Sequence, residues 1–127
     1  MKKIILFAIL LVSIVGYSQE KDCKKFKNGK YYSSAFPDQY IIRKDSIEET
    51  YTDGKLGLVW DVKWLSDCKY ELVCKKNYGT EPVPPGYKLV YTIFATEGDC
   101  YYMTVFFKNE KYPQGSTFQR GVCLMND

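Results

Sequence analysis

The sequence contains no histidine. This absence removes the Ser-His-Asp and Cys-His nucleophile arrangements, the usual ligands of hydrolytic zinc and the most common general base. No Cys-x-x-Cys pair is present either, which argues against a structural zinc site. Glycines occur singly at turns, so no glycine-rich phosphate-binding loop is present. The adjacent Glu48 and Glu49 would point to opposite faces of a strand and therefore could not act together as a pair of catalytic carboxylates. We therefore expect a protein that is not an enzyme and that holds no metal and no cofactor.

Long apolar runs are absent apart from Ile4 to Val15, which follows two lysines and precedes small residues. This is the pattern of a signal peptide, and we expect residues 1–18 to be removed before Gln19. A membrane-spanning helix would need about 20 apolar residues, so no membrane span is expected. The remaining residues, 19–127, suffice for one domain that is exported to the periplasm or the medium.

An excess of charge of one sign is also missing. Of 18 basic and 15 acidic residues, two lysines lie in the predicted signal peptide, so 16 and 15 remain. This balance gives no reason to expect nucleic acid as a partner. A local basic patch, Lys24, Lys25, Lys27 and Lys30, is interpreted as a solvated tail and first strand in preference to a polyanion site.

The segment 57–76 predicts a β-hairpin with one apolar and one polar face, because apolar and polar residues alternate on both arms. Its charges select the register. Pairing Lys63 with Glu71 avoids like charges opposite each other, which destabilise a sheet. The same register places Trp64 opposite Tyr70 and Val62 opposite Leu72, with 66–68 at the tip.

Short strands separated by turn signals continue on either side of this hairpin. The eight predicted strands are 30–35, 39–44, 46–52, the two arms within 57–76, 86–96, 100–108 and 117–125. No helix is predicted. The spacing favours an all-β antiparallel meander of about eight strands, forming a closed or partly open barrel, with a two-sheet sandwich as the alternative. Aromatic residues, 17% of the chain, are expected to fill a thin core, with tyrosine hydroxyls left in water.

All five cysteines follow the predicted signal peptide, which indicates disulfides with one thiol left over. Spacing alone does not fix the connectivity. The preferred pairs are Cys23 with Cys68, at the hairpin tip, and Cys100 with Cys123, near the ends of the last hairpin. Cys74 would be buried, and a dimer linked through it is the less favoured alternative.

The stretches CKKFKNGKYY, YIIRKDSIEE and WDVKWLSDCKYEL resemble a family of small uncharacterised exported bacterial proteins. The signature of this family is a Cys, a Gly-Lys-aromatic strand, an Ile-Ile-Arg strand and a Trp-x-x-x-Cys-x-Tyr-x-Leu hairpin. Trp64, Cys68, Tyr70 and Leu72 match that hairpin, and the resemblance extends from about Cys23 to Cys74. The architecture is also similar to a reduced lipocalin-type barrel, although no lipocalin motif is present.

Two hypotheses about function follow. The first is an extracytoplasmic binding module for an apolar or aromatic small ligand, in which Trp60, Trp64, Tyr91 and Phe106 form interior walls. The proline-rich loop 76–86, with Tyr78 near its apex, would be a lid. The alternative is a structural or protein-interaction domain of the envelope, for example an inhibitor of a secreted enzyme, that acts through this loop.

Overall fold

Eight antiparallel strands form a closed barrel in the computed structural model, which describes residues 22–79 and 82–125. The predicted signal peptide lies outside the described residues. The strands are β1 (Gly29–Tyr32), β2 (Gln39–Lys44), β3 (Ile47–Thr52), β4 (Lys55–Ser66), β5 (Lys69–Asn77), β6 (Lys88–Glu97), β7 (Cys100–Phe107) and β8 (Ser116–Leu124). Each strand pairs with the next in sequence, and β1 pairs with β8. The predicted all-β meander is confirmed, and the barrel is closed.

The central hairpin has the predicted register. Lys63 pairs with Glu71, Trp64 with Tyr70 and Val62 with Leu72 across β4 and β5. The turn at 53–54 is also local in origin, because Asp53 and Gly54 both have positive φ, as a two-residue hairpin turn requires. The pairing of opposite charges therefore accounts for the register of the β4–β5 hairpin, and the turn residues account for the β3–β4 connection.

Both predicted disulfides are present, Cys23 to Cys68 and Cys100 to Cys123. The second pair joins directly opposed residues of β7 and β8. Cys74 is the free cysteine and is buried, as predicted. Burial raises the pKa of its thiol, which disfavours the reactive thiolate.

One end of the barrel, here called the plugged end, is closed by a 3₁₀ helix, Lys24–Phe26, which we call the plug. The Phe26 side chain is fully buried and its ring lies 4.8 Å from the ring of Tyr101. Lys24 and Lys27 lie within 4.0 Å of Asp67 in the β4–β5 turn. The four lysines lie at the surface and Lys30 is in the first strand, as expected, but the stretch before β1 is not a free tail, because Phe26 anchors it in the core.

The opposite end, here called the pocket end, carries the longer connections 33–38, 78–87 and 108–115 and the turn 53–54. The first strand is shorter than predicted, because the chain leaves β1 after Tyr32 and turns at 33–38. As a result β1 meets β8 over only two residue pairs, Tyr31 with Leu124 and Tyr32 with Cys123.

The outer face of β7 and β8 is covered partly by its own aromatic residues. Tyr102 lies over Gly121, where an added Cβ would approach the ring to 2.7 Å. Phe106 lies over Gly115 in the same way. Glycine leaves room for the rings to lie against the strand, so aromatic groups on both faces of these strands are compatible with a single barrel wall.

Candidate functional site

A pocket of about 260 Å³ lies inside the barrel at the pocket end. Its wall is mainly apolar and is built from Ile41, Leu58, Trp60, Leu89, Tyr91 and Phe118. These positions alternate with outward residues on β2, β4, β6 and β8, so the period of two places them together on the inner face. Polar groups are few, as is usual where a small molecule binds.

Two residues of the proline-rich connection, Val83 and Tyr87, also line this pocket. The connection is held in place by hydrogen bonds. The side-chain amide of Asn77 donates to the carbonyl of Val83 at 2.8 Å, and the backbone of Cys74 bonds to Gly86 and Tyr87. The described part of the loop therefore forms one side of the pocket rather than a free excursion.

Beside this pocket a second one, of about 250 Å³, lies along the β3–β4 rim. The two pockets share Thr50 and Leu58. Tyr78 and Gly79 border the second pocket from the proline-rich loop. The two spaces are thus adjacent at the same end of the barrel.

Beneath the pocket the barrel is filled by a polar cluster centred on Arg43. Arg43 and Glu48 are cross-strand partners on β2 and β3, only 2% and 3% exposed, and the Nε of Arg43 donates to Glu48 Oε1 at 2.9 Å. Nη2 donates to the hydroxyls of Tyr70 and Tyr101, at 3.0 and 2.8 Å. Nη1 donates to the carbonyl of Phe26 at 2.7 Å. Arg43 therefore fastens the plug to the barrel.

This cluster changes the expectation for the tyrosines. The hydroxyls of Tyr70 and Tyr101 are buried, lie 3.1 Å apart and are satisfied by each other and by Arg43 rather than by water. Tyr91, on the pocket floor, stacks on Tyr70 with ring centroids 4.9 Å apart. The pocket therefore rests on a rigid aromatic layer, and the plugged end below it is solid.

Burial in this layer shifts the titration of its members. Desolvation raises the pKa of Tyr70 well above its ordinary value, although the nearby charge of Arg43 opposes the shift. Desolvation also raises the pKa of Tyr31 and of Tyr91. Burial lowers the pKa of Arg43, but Tyr70, Tyr101 and Glu48 outweigh it, so that pKa lies well above its ordinary value. Arg43 thus stays charged in the folded barrel.

We expect the free energy of unfolding to fall as the pH rises above about 10, the ordinary pKa of tyrosine. The unfolded chain then loses tyrosine protons that the folded chain retains, because folding raises the pKa of the three buried phenols. Urea unfolding at several pH values would measure the slope. Tyr91→Phe should flatten it, and a midpoint independent of pH between about 9 and 11 would contradict the expectation.

The predicted site residues separate into three groups in the structure. Trp60 and Tyr91 line the pocket. Trp64 is on the inner side at the plugged end, where it packs on Tyr70 with ring centroids 4.6 Å apart and fills space below the pocket. Phe106 and Tyr78 are exposed, Phe106 on the outer face of β7 and Tyr78 at the rim. The expected interior position of Phe106 is wrong, because Tyr101, Met103 and Val105 take the inward phase of β7.

Sequence reasoning missed the charged residues of the interior, Arg43, Glu48 and Arg120. A signal existed for the first two, since Arg43 is in phase with the buried Ile41 and the tight turn at 45–46 places Glu48 opposite it. Only the closed barrel shows which face of β2 and β3 is the inner one, and that Arg43 and Glu48 lie on it.

The part of the chain that the structure describes offers neither a metal-binding cluster nor a membrane-spanning helix. It holds no group of three or more histidine, cysteine or acidic side chains that could bind a metal ion. Within the same residues, no helix has the length and apolar character needed to cross a bilayer.

The fold and the pocket define a class: a closed eight-stranded antiparallel β-barrel, plugged at one end, with an internal pocket at the other. Comparison of the chain with protein-family models, with curated proteins and with solved structures finds no match in any of the three.

Proposed function

We propose that this protein is a non-enzymatic binding module that takes a small apolar ligand into the pocket end of the barrel. The observation that carries the proposal is the combination of a mainly apolar wall, including Trp60 and Tyr91, with a solid floor on the Arg43 cluster. A preformed cavity of this kind loses little free energy on ordering when a ligand enters. Its volume, about 260 Å³, suits a molecule of one or two rings.

The proline-rich loop acts as the lid in this proposal. Val83 and Tyr87 line the pocket and pack against the core, as the inner side of a lid would, while Tyr78 and the prolines of the loop remain exposed. Proline limits the conformations of the loop, so it needs little ordering to cover a ligand. The contacts of this loop thus favour the binding module over the alternative of an envelope interaction domain.

The environment is consistent with an extracytoplasmic site of action. Two disulfides indicate an oxidising compartment, because cytosolic thiols are kept reduced. Export by residues 1–18, and membership of the family of small exported bacterial proteins, are parts of the proposal. A likeness to a lipocalin-type barrel, at the level of architecture, is likewise part of the proposal.

Filling the pocket provides the test. Thr50 lines both pockets, so Thr50→Phe should occupy the space of the ligand and weaken binding tenfold or more. Among the described residues, the structure records no hydrogen bond of the Thr50 side chain, so this substitution removes none. Isothermal titration of the disulfide-bonded protein with 2-naphthylmethanol, an uncharged two-ring molecule, would measure the affinity.

Thr92→Phe is the matched control, because Thr92 is exposed on the outer face of β6. This variant should bind 2-naphthylmethanol as the original protein does. Equal affinity in Thr50→Phe would exclude the pocket as the site. Failure of the original protein to bind a two-ring probe of either kind, neutral or anionic, would count against the binding module and favour action through the loop surface.

A further inference from the structure

Arg120 points into the pocket from β8. It is in phase with Val122 and pairs across the sheet with Met103, and both of these side chains are only 1% exposed. The alternation of the strand therefore turns Arg120 inward, and it lines the pocket together with Phe118. An arginine on the inner wall of a mainly apolar pocket calls for a partner.

Among the residues that the structure describes, the partner recorded for this guanidinium is aromatic. The Cζ of Arg120 lies 5.8 Å from the ring centroid of Phe36, in the connection 33–38. Nε is buried and has no hydrogen-bond acceptor in the described part of the chain. Contact with an aromatic face leaves the in-plane N–H groups of an arginine free to donate, and these groups match the geometry of a carboxylate.

The one acidic side chain of the pocket lining does not fill this role. Glu48 is bonded to Arg43 at 2.9 Å, and both members of that pair are almost completely buried. No ion pair between Arg120 and Glu48 occurs within 4.0 Å. Because Arg43 already neutralises Glu48, Arg120 has no acidic partner within the described residues of the pocket lining.

We propose that the ligand carries an oxyanion, such as a carboxylate, and that Arg120 binds it while the apolar part lies against Trp60, Leu89 and Tyr91. This inference rests on the proposed function and specifies the class of ligand: a small apolar monoanion. The oxyanion would supply the acceptor that Nε lacks, and the apolar wall would exclude water from the charge-assisted hydrogen bonds. Phe36 would hold the guanidinium in position from its other side.

A pair of probes that differ in charge tests the inference. Isothermal titration would compare 2-naphthoate with 2-naphthylmethanol on the disulfide-bonded protein. The carboxylate should bind at least tenfold more tightly than the alcohol, since hydrogen bonds to charged groups are the stronger ones. Arg120→Gln should remove this preference by weakening naphthoate roughly ten- to hundredfold while leaving naphthylmethanol within about twofold.

Lys108→Gln is the matched control, because it removes one positive charge from the exposed outer surface. It should leave both affinities unchanged if the effect is local, and Arg120→Lys should retain part of the preference. Equal affinities of the original protein for the two probes would overturn the inference and leave the binding module standing. An equal loss for both probes in Arg120→Gln would overturn it as well, and failure of the original protein to bind either probe would overturn both proposals.

Discussion

Replacing Arg43 by methionine is expected to lower the free energy of unfolding by about 3–5 kcal/mol, because it leaves the Glu48 carboxylate buried without a counter-charge. The same change removes the donor to the carbonyl of Phe26 and thereby loosens the plug. A loss of this size is a large part of the roughly 5–15 kcal/mol that stabilises a domain. Urea unfolding with the disulfides intact would measure it.

The double variant Arg43→Met with Glu48→Met distinguishes an uncompensated charge from lost packing. Replacing both members of a buried ion pair by apolar residues is often nearly neutral, so most of the stability should return. The hydroxyls of Tyr70 and Tyr101 would still bond to each other at 3.1 Å. Glu49→Gln, on the outer face of β3, serves as the control and should change stability by less than about 0.5 kcal/mol.

A cost below about 1 kcal/mol for Arg43→Met would contradict this account of the cluster. It would mean that water reaches Glu48 from the pocket and solvates the carboxylate. A double variant no more stable than Arg43→Met would instead assign the loss to packing around the guanidinium.

Removing the Cys23–Cys68 disulfide is the second change expected to have a large effect. The bridge closes a loop of 45 residues and is worth about 4 kcal/mol in the chain-entropy model. It also fastens the 3₁₀ helix to the β4–β5 turn, so the variant Cys23→Ala with Cys68→Ala should release Phe26 from the core. Urea unfolding and hydrogen exchange of residues 24–32 would report the two effects.

The second disulfide offers the comparison. Cys100 and Cys123 close a loop of 23 residues, and their replacement by alanine should cost about 3.4 kcal/mol. Because these cysteines lie on paired strands, hydrogen exchange in the plug should change little. Unchanged exchange of residues 24–28 in the Cys23 and Cys68 variant would show that the first disulfide does not hold the plug. Equally faster exchange of these residues in both variants would show that the effect is not specific to the first disulfide.

Much of the fold could be predicted because neighbouring strands are neighbours in sequence. The register of the β4–β5 hairpin follows from the pairing of Lys63 with Glu71, which the sequence places a few residues apart. Turn residues at 53–54 and 98–99 separate the strands, and the strand positions favoured the two disulfides that the structure contains. The register and the turns depend on short-range chemistry.

The candidate site depended on the closed barrel. Arg120 contacts Phe36 although 84 positions separate them, and Arg43 reaches Tyr101 across 58. Alternation places a residue on one face of its strand, but which charges meet inside depends on the curvature and stagger of all eight strands. The sequence by itself determined the strands and the hairpin register, because these are local, and it favoured the cysteine pairs without fixing them. Only the tertiary structure decided the plug, the buried arginine cluster and the pocket, because their partners are distant along the chain and meet when the barrel closes.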